Sequence, residues 1–128
     1  MRVLFVEDEP LNLKVVGAML SGWGIEMVEA TDALTGLRMM DAGRFDVILM
    51  DLRMPGMDGL TAIRSIRARS DERSDVPVVV VTADASLDLP DRAKAAGADR
   101  LVRKPVQMPA LFDAMAQAMS DRHALVLS

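Results

Sequence analysis

The sequence contains no cysteine and no tyrosine, and it has one tryptophan and one histidine, His123. The absence of cysteine excludes a disulfide scaffold, a thiolate metal site and a cysteine nucleophile. A single histidine leaves no set of histidine metal ligands and no ordinary Ser-His-Asp triad. No apolar run reaches the roughly 20 residues that a membrane-spanning helix requires. The chain therefore lacks the side chains of histidine- and thiolate-based sites.

The 128 residues that are present fit one globular domain, since 51% are hydrophobic and 27% are charged. The net charge of −4 argues against a general nucleic-acid surface, because phosphates would repel it. The first apolar run is followed at once by Glu7 and Asp8, so it is not a signal peptide. The expected compartment is the cytoplasm. The domain is expected over residues 1–120, and residues 121–128 form a tail that either extends the last helix or frays.

Short strand patterns alternate five times with helical patterns. The strands are predicted at residues 3–6, 25–30, 47–50, 78–81 and 101–102. Proline starts the first helix at Pro10, and glycines such as Gly43 and Gly97 end later helices. Strands separated by helices of this length imply right-handed crossovers and a parallel sheet. Ligands of open parallel sheets gather beyond the carboxyl ends of the strands.

Two predictions concern which helical side chains are buried and which are exposed. In the first helix, a stripe at helical spacing is expected to be buried, and a second apolar face lies beside it. The stripe is Leu11, Val15, Ala18 and Met19, and the second face is Leu13, Val16 and Leu20. In and after the third helix, four arginines mixed with acidic residues are expected to form a solvated face. These are Arg64, Arg67, Arg69 and Arg73.

The ends of four predicted strands carry polar side chains that only the fold can bring together. These are Glu7 and Asp8 after the first strand, Asp51 after the third, Thr82 after the fourth and Lys104 after the fifth. Two unit charges about 4 Å apart repel by roughly 4 kcal/mol at an effective dielectric near 20. Three converging carboxylates must therefore take up a proton or bind a cation. Oxygen ligands without histidine or cysteine favour Mg²⁺.

A carboxylate beside Mg²⁺ and a lysine is suited to accepting a phosphoryl group. The metal and the ammonium of Lys104 would neutralise charge on the phosphoryl oxygens. The hydroxyl of Thr82 and the backbone N–H of Ala83 would donate hydrogen bonds to the remaining oxygens. The residues alone thus predict an Mg²⁺-dependent phosphoacceptor in which Asp51 is the nucleophile.

Four segments, in order and at matching spacing, resemble the receiver domain of two-component response regulators over essentially the whole chain. They are VEDE at residues 6–9, MDLRMPGMDG at 50–59, VTA at 81–83 and KP at 104–105. The resemblance implies a flavodoxin-like α/β fold, a doubly wound five-stranded parallel sheet in the order 2-1-3-4-5 with five helices. It also implies that Asp51 is phosphorylated. Asp58 and Gly59 are interpreted as a helix cap that follows a tight loop.

The resemblance further implies an Mg²⁺ site made by Asp8, Asp51, the backbone carbonyl of Arg53 and Glu7, the last of these directly or through water. Thr82 matches the hydroxyl that switches on phosphorylation. Lys104 matches the lysine that pairs with the phosphoryl group.

One position departs from the family pattern. Receivers commonly carry Tyr or Phe three residues before the lysine, as a ring that turns inward on phosphorylation, and this chain has Leu101 there. We expect Thr82 still to move and Leu101 to report that movement weakly, so that the output face changes little.

Two variable positions are expected to face each other across the mouth of the site. Arg53 and Asp84 each lie two residues beyond a motif residue. We expect them to pair as an exposed lid that affects how readily water attacks the acyl phosphate.

The leading interpretation is a single-domain receiver that accepts a phosphoryl group from a histidine kinase or a histidine phosphotransfer protein. It would signal by protein contact or onward transfer, as a monomer or weak homodimer, without membrane or DNA contacts. The second apolar face of the first helix is either a docking surface for that donor or part of the core. The alternative of a receiver cut from a hybrid kinase is slightly disfavoured by the start at Met1.

Other classes fit less well. An aspartyl-phosphate phosphatase would carry its nucleophile and an acid two residues apart after the first strand, whereas here Arg53 stands in the place of the acid. The intact acidic pair, Thr82 and Lys104 argue against an unphosphorylated interaction module. Neither a G-x-G-x-x-G motif nor a P-loop follows the first strand, which argues against a nucleotide-binding fold. We therefore expect no enzymatic turnover beyond self-phosphorylation and self-dephosphorylation of Asp51.

Overall fold

Five parallel strands form a single sheet in the order β2-β1-β3-β4-β5, which confirms the predicted topology. The computed structural model describes residues 1–127. The strands are β1 (Arg2–Val6), β2 (Glu26–Ala30), β3 (Val47–Asp51), β4 (Val78–Thr82) and β5 (Arg100–Arg103). Both β3 and β4 are buried along their whole length, as expected for central strands covered on both faces.

Five helices connect and follow the strands. They are α1 (Pro10–Gly22), α2 (Ala33–Ala42), α3 (Gly59–Arg67), α4 (Leu89–Ala96) and α5 (Met108–Leu127), with a short 3₁₀ turn over Glu72–Asp75. Asp32 begins α2 by accepting the backbone N–H of Thr35 at 2.8 Å. Asp58 accepts the N–H of Thr61 at 2.9 Å, so its predicted role as a helix cap is confirmed.

The alternation of side chains along β1 divides the interior into two cores. Leu4 and Val6 face a core shared with α2, α3 and α4. Val3 and Phe5 face the other core, which is shared with α1 and α5. Both faces of the sheet are therefore covered by helices, and the carboxyl ends of the strands open at one edge.

The expected buried face of α1 was wrong. Leu13, Val16 and Leu20 are the buried residues, whereas Leu11 is 64% and Val15 is 40% exposed. Both sets have helical spacing, so periodicity alone could not choose between them. The buried set packs against the same core as β1 and α5. The exposed apolar face of α1 is thus the one that carries Leu11 and Val15.

Arg67 also differs from expectation, because its side chain is only 15% exposed rather than solvated. Its guanidinium donates to the carbonyl oxygens of Gly97 at 2.8 Å and Val76 at 2.6 Å, and it pairs with Asp99 at 3.0 Å. Burial lowers the pKa of Arg67 to about 10, although Asp99 opposes the shift. Arg122 of α5 binds the other oxygen of Asp99 at 2.7 Å. The pair of arginines ties α3 and α5 to the residues that precede β5.

The last helix continues through the expected tail as far as Leu127. Ser128, the final residue of that tail, lies outside the described residues. Within residues 1–127, no helix combines the length and the apolar character needed to cross a membrane.

We expect Gly59→Ala to destabilise the protein by about 1–3 kcal/mol, as overpacking against a rigid backbone does. A Cβ at Gly59 would overlap the carbonyl oxygen of Asp51 and lie 2.8 Å from the Cα of Leu52. These are backbone atoms that cannot turn aside. Urea unfolding monitored by circular dichroism measures the change.

The matched control is Gly22→Ala at the end of α1, where a Cβ would meet open space. Alanine there is expected to leave stability unchanged or to raise it by about 0.5–1 kcal/mol. Equal effects of the two substitutions would contradict the close approach of α3 to the end of β3.

Candidate functional site

The polar residues singled out by the sequence lie together at the carboxyl edge of the sheet. Glu7 follows β1 directly, Asp51 and Thr82 end β3 and β4, and Lys104 follows β5. The parallel register sets this arrangement, because Val6 pairs with Met50 and Asp51 pairs with Val81. Glu7, Asp51 and Thr82 are the buried polar or charged residues of the described chain.

Lys104 joins the two buried carboxylates. Its ammonium nitrogen lies 2.7 Å from Oε1 of Glu7 and 3.6 Å from Oδ1 of Asp51. The other oxygen of Glu7 accepts the backbone N–H of Asp8 at 3.1 Å. Lys104 is therefore held more closely by Glu7 than by Asp51. The peptide bond between Lys104 and Pro105 is cis.

The pKa values of the two buried carboxyl groups are shifted in opposite directions. Burial and the neighbouring Glu7 carboxylate raise the pKa of Asp51 to about 7, against the pull of Lys104. Burial also raises the pKa of Glu7, but hydrogen bonds with Asp51 and Lys104 outweigh it and hold that pKa below its usual value. Without a cation, Glu7 is therefore the ionised partner of Lys104, and Asp51 keeps a proton up to near-neutral pH.

Three carboxylates fit the donor set of a hard cation. One oxygen from each of Glu7, Asp8 and Asp51 lies within 4.8 Å of the other two. Asp8 is exposed, so this cluster opens to solvent on one side. Carboxylate oxygens with an open side suit Mg²⁺, which retains water and binds few protein ligands. The Lys104 ammonium beside the cluster compensates only part of its negative charge.

The hydroxyl of Thr82, at the end of β4, already makes a hydrogen bond. Oγ1 of Thr82, which is fully buried, accepts the backbone N–H of Asp84 at 3.0 Å. The next residue, Ala83, is exposed. The carboxylate of Asp84 accepts the N–H of Ser86 at 2.9 Å and its hydroxyl at 2.5 Å. The bonds from Ser86, with help from Arg53, lower the pKa of Asp84 to about 2.

Arg53 and Asp84 meet across the mouth of the site, with a guanidinium nitrogen 3.4 Å from the carboxylate. The pair is less exposed than expected, since the side chain of Arg53 is 76% exposed but that of Asp84 only 17%. The backbone N–H of Arg53 donates to Oδ1 of Asp51 at 3.4 Å. Arg53 thus contacts both the central carboxylate and the loop after β4.

Sequence reasoning missed Arg103, whose guanidinium donates to the backbone carbonyl of Asp84. The available signal was its place at the end of β5, two residues after Leu101 and therefore on the same side of the strand. Leu101 itself is half-buried and packs against the core of α2, α3 and α4.

Comparison with known proteins places these residues in a family. The family model of the response regulator receiver domain matches residues 3–116. The chemotaxis protein CheY of Pseudomonas aeruginosa is 37% identical over 107 residues, which are 82% of this chain and 85% of that protein. The sensor protein GacS of Pseudomonas syringae is also 37% identical over 107 residues. The chain spans only 12% of GacS and 3% of a Dictyostelium discoideum hybrid histidine kinase that it also matches.

Solved structures agree in fold. The receiver domain of the sensor histidine kinase PA1611 from Pseudomonas aeruginosa superposes with a TM-score of 0.84 at 32% identity, covering 93% of this chain and 97% of that one. That crystal structure holds a magnesium ion in its active-site cleft. The chemotaxis protein CheY4 of Vibrio cholerae gives a TM-score of 0.83 at 28% identity, over 91% of this chain and 97% of that one.

Asp51→Asn is expected to stabilise the metal-free protein by about 1–3 kcal/mol at about pH 8, and by almost nothing at about pH 4. The folded protein holds a proton on Asp51 that the unfolded chain releases at lower pH. The contribution of Asp51 to stability therefore falls as the pH rises from about 4 to about 7, and asparagine removes that penalty. Urea unfolding in EDTA across this range measures the difference.

Asp113→Asn, at an exposed acid of α5, serves as the control and should give a small difference that does not vary with pH in this way. An Asp51→Asn effect that is the same at every pH would show that Asp51 is already ionised in the metal-free protein.

Proposed function

The chain belongs to the response regulator receiver domain family, and from that premise we propose that it is a phosphoacceptor whose acceptor group is the carboxylate of Asp51. The convergence of Asp51, Glu7, Asp8 and Lys104 at one edge of the sheet is the observation that supports the proposal. It gathers a nucleophile, a cation site and a fixed ammonium from three separate strand ends.

The proposed reaction is the transfer of a phosphoryl group from a phosphohistidine. An oxygen of the Asp51 carboxylate attacks phosphorus, the P–O bond forms, and the P–N bond to the imidazole breaks. The imidazole leaves with the bonding pair and takes up a proton. Water later attacks phosphorus, which breaks the acyl P–O bond and returns the carboxylate and inorganic phosphate.

Asp8, Asp51 and the backbone carbonyl of Arg53 would hold Mg²⁺, and Glu7 would bind the ion directly or through a water molecule. Mg²⁺, when bound, neutralises charge on the phosphoryl oxygens. The chain's own contribution is the ammonium of Lys104, which lies 3.6 Å from Asp51 and is suited to pair with the incoming phosphoryl group. The Thr82 hydroxyl and the N–H of Ala83 would donate to the remaining oxygens.

An apolar surface next to the site fits the phosphohistidine donor. Leu11 and Val15 are exposed on α1, which begins two residues after Asp8, and Phe112 is 52% exposed on α5. The ring of Phe112 packs edge-to-face on Trp23 with 4.6 Å between ring centroids. Receiver domains interact with histidine kinases and downstream proteins. We propose that a kinase or a histidine phosphotransfer protein docks here. The other apolar face of α1, for which a docking role and a core role were both open, is part of the core.

Two settings for the same chemistry remain as proposals. In the first, the chain is a single-domain response regulator, which the 85% coverage of CheY favours. In the second, it is the receiver of a hybrid histidine kinase, which the 37% identity with GacS favours. In both settings the output is contact with another protein or onward transfer, with no turnover of an external substrate and no direct DNA binding.

Incubation with acetyl phosphate and Mg²⁺ should add one phosphoryl group at Asp51, with release of acetate. Intact-mass spectrometry followed by peptide mapping measures the product. Asp51→Asn keeps the shape of the side chain and removes the nucleophile, so it should stay unlabelled. Equal labelling of the variant, or labelling in EDTA as fast as in Mg²⁺, would overturn the proposal.

Asp84→Ala should speed the loss of phosphate from phosphorylated protein by up to about fivefold, because an ion pair with one exposed partner contributes at most about 1 kcal/mol. Removing the carboxylate frees Arg53 and opens the mouth to water. The rate is measured by the decay of the phosphorylated mass after the donor is removed.

Asp88→Ala removes a neighbouring exposed acid that pairs with Arg92 on α4, and it should decay at the wild-type rate. An unchanged rate for Asp84→Ala would remove the lid from the mechanism and leave the phosphoacceptor untouched.

A further inference from the structure

Asp84, which lies two residues after Thr82, is held by several hydrogen bonds and an ion pair. The N–H of Asp84 donates to Oγ1 of Thr82, and its carboxylate binds Ser86 and faces Arg53. Its backbone carbonyl accepts from the guanidinium of Arg103. Asp84 is therefore the point at which the site hydroxyl, the mouth of the site and β5 are connected.

Arg103 lies beside the end of β4 and contacts Asp84. It pairs with Thr82 in the β4–β5 register, and the N–H of the next residue, Lys104, donates to the carbonyl of Thr82 at 2.7 Å. Leu101 and Arg103 lie on the same side of β5, whereas Val102 faces the core of α1 and α5. Arg103 thus reaches from the β5 face that carries Leu101 to the loop that follows Thr82.

We propose that Arg103 is a positioning residue that holds the loop after β4 in its unphosphorylated arrangement and releases it on phosphorylation. This inference rests on the proposed function at Asp51. When Thr82 turns its hydroxyl towards a phosphoryl group, it withdraws the acceptor from the N–H of Asp84. The backbone on both sides of Asp84 then reorients, from the Ala83–Asp84 peptide that carries the N–H to the Asp84–Ala85 peptide that carries the carbonyl, and this carbonyl leaves Arg103. The guanidinium is set free on the exposed surface beside Leu101.

A bond that Arg103 makes only in the unphosphorylated state would affect phosphorylation itself, whereas a bond present in both states would not. A bond made only in the unphosphorylated state stabilises that state and opposes the phosphorylated one, and the coupling is reciprocal. Removing the Arg103 bond should therefore loosen the loop in the free protein and favour the phosphorylated arrangement by the same factor. The change is local, so α4 and the rest of β5 need not move.

The experiment uses Arg103→Met, which keeps an apolar stem and removes the donors. In the free protein, hydrogen exchange at the amides of Asp84 and Ser86 should become about 2- to 10-fold faster, the range for loss of one hydrogen bond. With Mg²⁺ present, beryllofluoride should bind Arg103→Met about 2- to 10-fold more tightly than wild type. In the beryllofluoride-bound proteins, the exchange difference should disappear.

Arg100→Met is the matched control, because Arg100 lies on the same strand and its guanidinium binds Asp121 of α5 at 2.8 Å instead of the loop. It should leave exchange at Asp84 and Ser86 and the beryllofluoride affinity as in wild type. If Arg103→Met matches Arg100→Met in the free protein, the contact with Asp84 is absent and the inference fails, whatever Asp51 does.

Two further outcomes separate this inference from the proposed function. If Arg103→Met speeds exchange equally with and without beryllofluoride, and the affinity is unchanged, Arg103 only braces the loop and the switching role is overturned. If wild-type protein neither binds beryllofluoride nor is phosphorylated by acetyl phosphate, the phosphoacceptor proposal fails, and with it the release of Arg103. The exchange rates of the free proteins still report whether Arg103 holds the loop.

Discussion

Two carboxylates buried side by side need positive charge, and at the carboxyl edge of this sheet they receive it from the Lys104 ammonium. Glu7 takes the closer contact at 2.7 Å, which leaves Asp51 at 3.6 Å with a pKa raised to about 7 by burial and by Glu7. One ammonium cannot neutralise Glu7, Asp8 and Asp51 together. The remaining negative charge suits the site to a cation, and a bound cation would support the phosphoacceptor role that we propose for Asp51.

The sheet order makes this concentration of charge possible. Because β1 and β3 are neighbours at the centre of the sheet, the residues that follow them lie side by side, and β4 adds Thr82 next to Asp51. Both β3 and β4 are wholly buried, so the residues at their ends are fixed by packing on both faces of the sheet. The site is therefore assembled at the strand ends, from the last strand residues and the first residues of the loops that follow them.

Much of this was predictable from the sequence, and the failures have a common cause. The strand and helix patterns predicted a parallel sheet, and the resemblance to receiver domains supplied its strand order. The convergence of Glu7, Asp51, Thr82 and Lys104 follows, because parallel strands share one open edge. Periodicity could not choose between the two apolar stripes of α1, since both have helical spacing. Nor could local composition show that Arg67 is largely removed from solvent, because its partners at Val76, Gly97 and Asp99 come from other parts of the fold.

Contacts made across the fold also explain why positions that depart from the receiver pattern, such as Leu101, say more about signalling than positions that match it. Residues that hold the charge can be recognised by type and spacing, but coupling between the site and the surface depends on contacts across strands. Without an aromatic ring at position 101, the β5 side chain that contacts the loop after β4 is a guanidinium, Arg103. A guanidinium bonded to the carbonyl of Asp84 responds to a change in the backbone at that residue. An inward-turning ring requires space in the core, and Leu101 already packs against that core. In the switch that we propose, a phosphorylation signal would therefore reach β5 through a hydrogen bond, without repacking of the interior.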